Sequence, residues 1–189
     1  MGTTPTIHPG RHPTRNRTCP RRRGRTPAPT TTPTRHRGLV LVDAENLAGT
    51  AEPDPGRVRR DAALVRALAP VDDADQVIVA CSHHAAPAVW WAWPRALRRA
   101  RSGPDGADLA LLDAVAALPP SATYDHLVIA SGDGIFATLA LDSRRRGIRV
   151  VVLARSESLS TRLARCAHRV ILLDAPGSGT DPTAIDLAA

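Results

Sequence analysis

The 189-residue sequence contains no lysine and only five aromatic residues, three of them tryptophan. A phosphatase acting on a small phosphoester usually needs an Asp nucleophile with a fixed basic partner, and no lysine is present to play that role, which makes it the least favoured reading. The uniform use of arginine for positive charge also means that no single arginine marks a site by its residue type alone. Three cysteines, Cys19, Cys81 and Cys166, are too few and too scattered for a disulfide framework or a CxxC metal site. They fit a reducing compartment, and the expected location is the cytoplasm. No apolar run approaches the ~18 residues of a membrane span, and no apolar segment follows the basic residues at the amino terminus as in a secretory signal.

What the sequence does have is an uneven distribution of charge. The formal net charge is +7, yet residues 1–37 hold nine arginines and no acid, whereas residues 38–189 hold sixteen arginines against eighteen acids. The first segment is rich in Pro and Thr, with almost nothing apolar to bury, so the entropy of ordering it is not recovered. It is expected to be a disordered tail. Two readings stand for it: a polycationic arm for nucleic-acid phosphates, densest at "RRRGR", or a solvated extension without function. The main domain is expected over residues 38–175, with residues 176–189 as a flexible carboxyl-terminal tail.

From Gly38 onward, short runs rich in Val, Ile and Leu alternate with helical patterns. The runs are "LVLVDA" (39–44), "VIVACS" (77–82), "HLVIAS" (126–131), "RVVVLA" (149–154) and "RVILLD" (169–174). Helical patterns fall near 58–68, 86–93, 107–118, 135–145 and 159–166, and a further short strand is expected near Leu97–Arg101. This rhythm is that of an α/β fold with a mostly parallel sheet covered by helices on both faces.

In such a sheet the carboxyl ends of the parallel strands lie on one edge, so residues just past each strand converge. That edge collects acids here. Asp43 closes the first strand in "LVLVDAENL", Asp108 opens a helix in "GPDGADLALLDA", and Asp133 follows a strand in "HLVIASGDGIF". Asn46 lies one helical turn after Asp43, and Ser131 stands two residues before Asp133. Three carboxylates with an amide and a hydroxyl make an oxygen-only donor set, which suits magnesium or manganese and not zinc. The expected chemistry is metal-assisted phosphodiester hydrolysis.

The segments "VDAEN", "GADLALLDA" and "SGDGIFATLALDSRRRGIRVVVLA", in this order and spacing, resemble the NYN domains, a branch of the PIN-like metal-dependent ribonucleases. The resemblance covers residues 38 to about 174. It implies a Rossmann-like three-layer α/β/α sandwich, a magnesium or manganese site, and RNA as substrate and partner. It also implies Asp43, Asp108 and Asp133 as metal-binding catalytic acids, with Asn46 and Ser131 as the polar residues beside them. One position departs from the pattern: many NYN domains continue the third motif as SGDxDF, and this chain has Ile135 where the second acid would stand. Three alternatives follow. One ion suffices with three acids, or a neighbour such as Glu45 or Asp105 substitutes, or the site binds RNA without cutting it.

Other residues have plainer readings. Asp113 lies about 140 degrees around the helix from Asp108 and is expected to be structural. Asp174 is expected to be a turn residue. His83 and His84 follow the second strand, where at least one could contact phosphate or move a proton, although a satisfied or solvated side chain is the expected outcome. Trp90, Trp91 and Trp93 precede Arg95, Arg98, Arg99 and Arg101, a composition suited to stacking on bases and reaching phosphates. The expectation is that two of these tryptophans pack and one is exposed. Two functions from different classes therefore stand: a metal-dependent ribonuclease, and a nuclease-inactive RNA-binding adaptor. Neither reading calls for a membrane, and assembly into a homo-oligomer stays open.

Overall fold

The computed structural model describes residues 1–2, 37–119, 122–173 and 184–186. The chain divides into Met1–Thr34 and Arg35–Ala189, and all the elements below belong to the second unit. The arginine-rich tail expected at residues 1–37 lies almost wholly outside the described residues, as does Asp174.

Strand β1 (Gly38–Asp43) leads through helices α1 (Ala44–Ala48) and α2 (Pro55–Leu68) to β2 (Gln76–Cys81). Helix α3 (Ala86–Ala92) joins β2 to β3 (Leu97–Ala100), and α4 (Gly106–Ala116) joins β3 to β4 (His126–Ala130). A 3-10 turn (Gly134–Phe136) runs into α5 (Ala137–Arg145), followed by β5 (Arg149–Ala154), α6 (Thr161–Cys166), β6 (Arg169–Leu172) and β7 (Ala184–Asp186). The sheet order is β3-β2-β1-β4-β5-β6-β7. The first six strands are parallel, and β7 runs antiparallel to β6.

The layers follow from strand periodicity. Val40 and Val42 of β1 face one way, with Val79, Val128 and Val151, and are covered by Leu47 of α1, Val58 and Val65 of α2 and Val89 of α3. Leu39 and Leu41 face the other way, with Ile78, Ile129 and Val152, and are covered by Leu111 of α4, Phe136, Ala140 of α5 and Leu163 of α6. Burial of both faces is why the strands read as continuous apolar runs and not as alternating ones. Each buried Val or Leu contributes roughly 1.5–3 kcal/mol relative to exposure. The expected three-layer α/β/α arrangement is the one observed.

Local signals set the helix starts. At α2, Asp54 accepts a hydrogen bond from the Arg57 amide at 2.9 Å and Pro55 opens the helix, so it begins earlier than the apolar pattern alone suggests. Residues 184–186, within the stretch expected to be a flexible tail, add β7. Pairing there satisfies the open backbone edge of β6, and a three-residue strand is too short to show a period. The sheet order has its switch point between β1 and β4, where successive connections run in opposite directions and a crevice opens at the carboxyl ends.

Candidate functional site

Asp43 is the last residue of β1 and the N-cap of α1, its Oδ1 accepting from the Asn46 amide at 3.2 Å. Asp133 lies just past β4 and caps the 3-10 turn, its Oδ1 accepting from the Ile135 amide at 2.8 Å. Each acid thus has one oxygen held by a backbone N–H, which fixes its carboxylate at the switch point. Asp108 enters from the first turn of α4. One carboxylate oxygen from each of Asp105, Asp108 and Asp133 lies within 4.8 Å of the others. The Asp43 and Asp108 carboxyls are also close enough to share a proton in a hydrogen bond.

Of the three acids expected from the sequence, Asp108 and Asp133 fall in one group, and Asp43 contacts Asp108. The tight group of three contains Asp105 in place of Asp43, which joins through Asp108. Both Asp43 and Asp108 are buried. Oδ1 of Asp108 is wholly buried and accepts from no N–H or O–H donor among the described residues; its contact with Asp43 becomes a hydrogen bond only when one carboxyl is protonated. Burial, and after it the negative charge of Asp43, pushes Asp108 up to about 8 from an ordinary 3.8. Burial also raises Asp43. Among the described residues, no arginine or histidine pairs with Asp43, Asp105, Asp108 or Asp133. Neighbouring unit charges at such separations repel by about 1–4 kcal/mol per pair, depending on the effective dielectric. A buried carboxylate oxygen with no donor, among further carboxylates that no cationic side chain pairs, fits a hard divalent cation.

Around the acids, polar contacts hold the loops. The Asn46 Oδ1 accepts from the Gly132 amide at 2.9 Å and from the Ser158 hydroxyl at 3.3 Å, tying α1 to the loops after β4 and β5. Buried Ser131 accepts from the Asp133 amide at 3.2 Å. A Cβ at Gly132 would collide with the Ser158 carbonyl, so only glycine permits this close approach. Glu45 accepts from the Ser82 amide at 2.9 Å and so braces the end of β2. An open cleft of about 620 Å³ passes the acids; Asp43, Glu45, Asp105 and Asp108 line it, with His84 and Arg101 towards the rim.

Beneath α1 lies a contact that sequence reading missed. Arg155 donates to the Leu47 carbonyl at 2.7 Å and to buried Asp61 at 3.1 Å, and Asp61 also pairs with Arg57 at 3.2 Å. Its only sequence signal was an acid on the apolar face of a helix, because arginine is too common in this chain to stand out.

The remaining candidates separate clearly. Asp113 is exposed and pairs with Arg101 at 3.1 Å, outside the acid group. His83 is exposed, with its Nδ1 at 2.9 Å from the Ser102 hydroxyl. Trp93 is buried under the Arg66 guanidinium, Trp90 is half-buried beside Arg98, and Trp91 is 82% exposed. Ile135 is half-buried against the apolar cluster below α4 and α5. Burial lifts the Cys81 thiol to about 12, which leaves it inert near neutrality.

The family model for the NYN domain matches residues 37–174. A search of solved structures finds similarity to a protein of unknown function from Vibrio parahaemolyticus RIMD 2210633, with 19% sequence identity and a TM-score of 0.47, covering 74% of this chain and 94% of that one. No curated protein matches the sequence. No helix among the described residues is long and apolar enough to cross a membrane.

Proposed function

The chain belongs to the NYN domain family, within the PIN-like nuclease superfamily, and from that premise we propose that it is a ribonuclease that hydrolyses RNA phosphodiester bonds with a magnesium or manganese ion held by Asp43, Asp108 and Asp133. The observation that carries this reading is the buried Asp108 carboxylate. Its Oδ1 lacks a donor, it contacts the Asp43 carboxyl, and it shares a 4.8 Å group with Asp133 and Asp105. A bound divalent ion supplies charge that neutralises phosphate and acidifies water.

The chain's own residues do the rest. The cap bonds from the Asn46 and Ile135 amides orient Asp43 and Asp133 before substrate arrives, so little reorganisation is needed during reaction. Asn46 and Ser131 act as positioning residues, holding the α1, β4 and β5 loops at fixed spacing. In this reading an extended strand would lie in the open cleft, its phosphates meeting the exposed His84 and Arg101 that line it, the latter shared with Asp113. Asp108 would hold a cation only in its ionised form, so loading of the site would depend on pH.

The test is RNA hydrolysis by freshly chelated protein, on single-stranded and structured RNA, before and after magnesium or manganese is restored. Asp133→Asn, purified in parallel, controls for contaminating ribonuclease. We expect metal-dependent cleavage by the wild type and none by the variant. Equal cleavage by both, or RNA binding without metal-dependent cleavage, overturns the proposal; the second outcome is that of an RNA-binding adaptor.

A further inference from the structure

We infer that Asp105 is a ligand of the same cation site, so that the site's fourth carboxylate comes from the start of α4 and not from the turn after β4. This rests on the reading of the acids as a cation site and extends it to a residue that the sequence left as one of several alternatives. The turn after β4 contributes Asp133 alone, because Ile135 packs against the apolar cluster. Asp105 fills the gap geometrically, with a carboxylate oxygen within 4.8 Å of those from both Asp108 and Asp133. The independent sign of a ligand is Asp108: it is 7% exposed, and its Oδ1 is buried with no donor.

A competing account makes Asp105 a capping residue. It occupies the N-cap position of α4, where an aspartate ordinarily accepts a hydrogen bond from an amide of the first turn. Its side chain makes no such bond. Nor does it form an ion pair among the described residues. It also adopts the left-handed conformation, φ 51° and ψ 24°. Glycine takes that conformation without cost, and asparagine and aspartate visit it, so the backbone accounts for a short residue here but gives its carboxylate no helix amide to accept from. Its position is set firmly: Gly106 packs so close to the Arg101 carbonyl that a Cβ there would collide with it, and the Asp105 carbonyl accepts from the Leu109 amide at 2.9 Å. The carboxylate, free of the helix amides and exposed to solvent, lies within reach of the acid group.

The experiment is thermal unfolding of full-length wild type, Asp105→Asn and Asp105→Gly, chelated and then titrated with manganese. Both substitutions suit the backbone, so the chelated variants should melt at or above the wild-type temperature. Manganese should raise the wild-type melting temperature, and each variant should need about ten-fold more manganese for the same rise, as expected when a site loses one anionic ligand. If the wild type responds and the variants respond at the same concentration, Asp105 is no ligand and the three-acid site stands without it. A wild type that does not respond at millimolar manganese overturns the cation site, and the role of Asp105 with it.

Discussion

Replacing Asp108 with asparagine should remove a pH dependence of stability that the metal-free wild type carries. Burial first, and the charge on Asp43 second, keep Asp108 protonated up to about 8, against 3.8 for an ordinary aspartate. Between those values the folded protein holds a proton that the unfolded chain has released. Stability of the chelated protein therefore falls as pH rises from about 4 to about 8, and this contribution is level above that. The whole shift corresponds to a ceiling of ~6 kcal/mol at ~1.4 kcal/mol per unit. Two unit charges ~4 Å apart at an effective dielectric of ~20 repel by ~4 kcal/mol, and water in the open cleft lowers the cost further. We expect the wild type to lose about 2–4 kcal/mol between pH 5 and pH 9, measured by urea unfolding in excess chelator, with Asp108→Asn losing far less. Asp61, which burial also raises, is present in both proteins and cancels in the difference; Asp43, raised by burial in both, differs only through its contact with Asp108. Parallel stability curves for the two proteins would refute the buried, repelled carboxylate.

Three further outcomes follow from the structure. Arg155→Ala leaves the Leu47 carbonyl without its donor and Asp61 with Arg57 alone, so urea unfolding should show a loss of about 2–4 kcal/mol, with Arg155→Lys recovering part of it. Ile135→Asp places a charge against the apolar cluster; it should lower the melting temperature, with a cost of about 2–4 kcal/mol, and leave manganese affinity no tighter by calorimetry. Deleting residues 1–36, which carry eight of the arginines and no acid, should leave the melting temperature unchanged. It should also flatten the salt dependence of RNA affinity by ~0.7 in log–log slope for each phosphate released, and unfolding on deletion would move the domain boundary.

The central sheet was legible because both its faces are covered. Runs such as "VIVACS" and "RVVVLA" are apolar throughout, and turn formers mark their ends. Asp43 and Asp133 were legible for a related reason: an acid straight after a buried strand has few structural uses beyond a cap, and both residues serve as caps and as members of the acid group. Asp105 was harder to single out, because an aspartate before a helix normally reads as a cap, and only the geometry shows that its side chain makes no capping bond. Arg155 and Asp61 are 94 positions apart, a pairing that composition obscures when every cation is arginine. Which tryptophan stays in water depended on the rotation of α3, which three aromatics in four positions do not define. β7 pairs through backbone atoms, so its partner, and not its own residues, determines it.

Binding of a divalent cation by Asp43, Asp108 and Asp133 is the claim on which the rest depends, and manganese calorimetry on chelated protein near pH 7 tests it most directly. Repeating the titration in buffers of different ionisation enthalpy counts the protons released. Wild-type protein is expected to bind manganese with release of protons from the Asp43–Asp108 pair, and Asp108→Asn to bind far more weakly with a smaller release. No heat of binding at millimolar manganese, or equal binding and proton release in the two proteins, would contradict it.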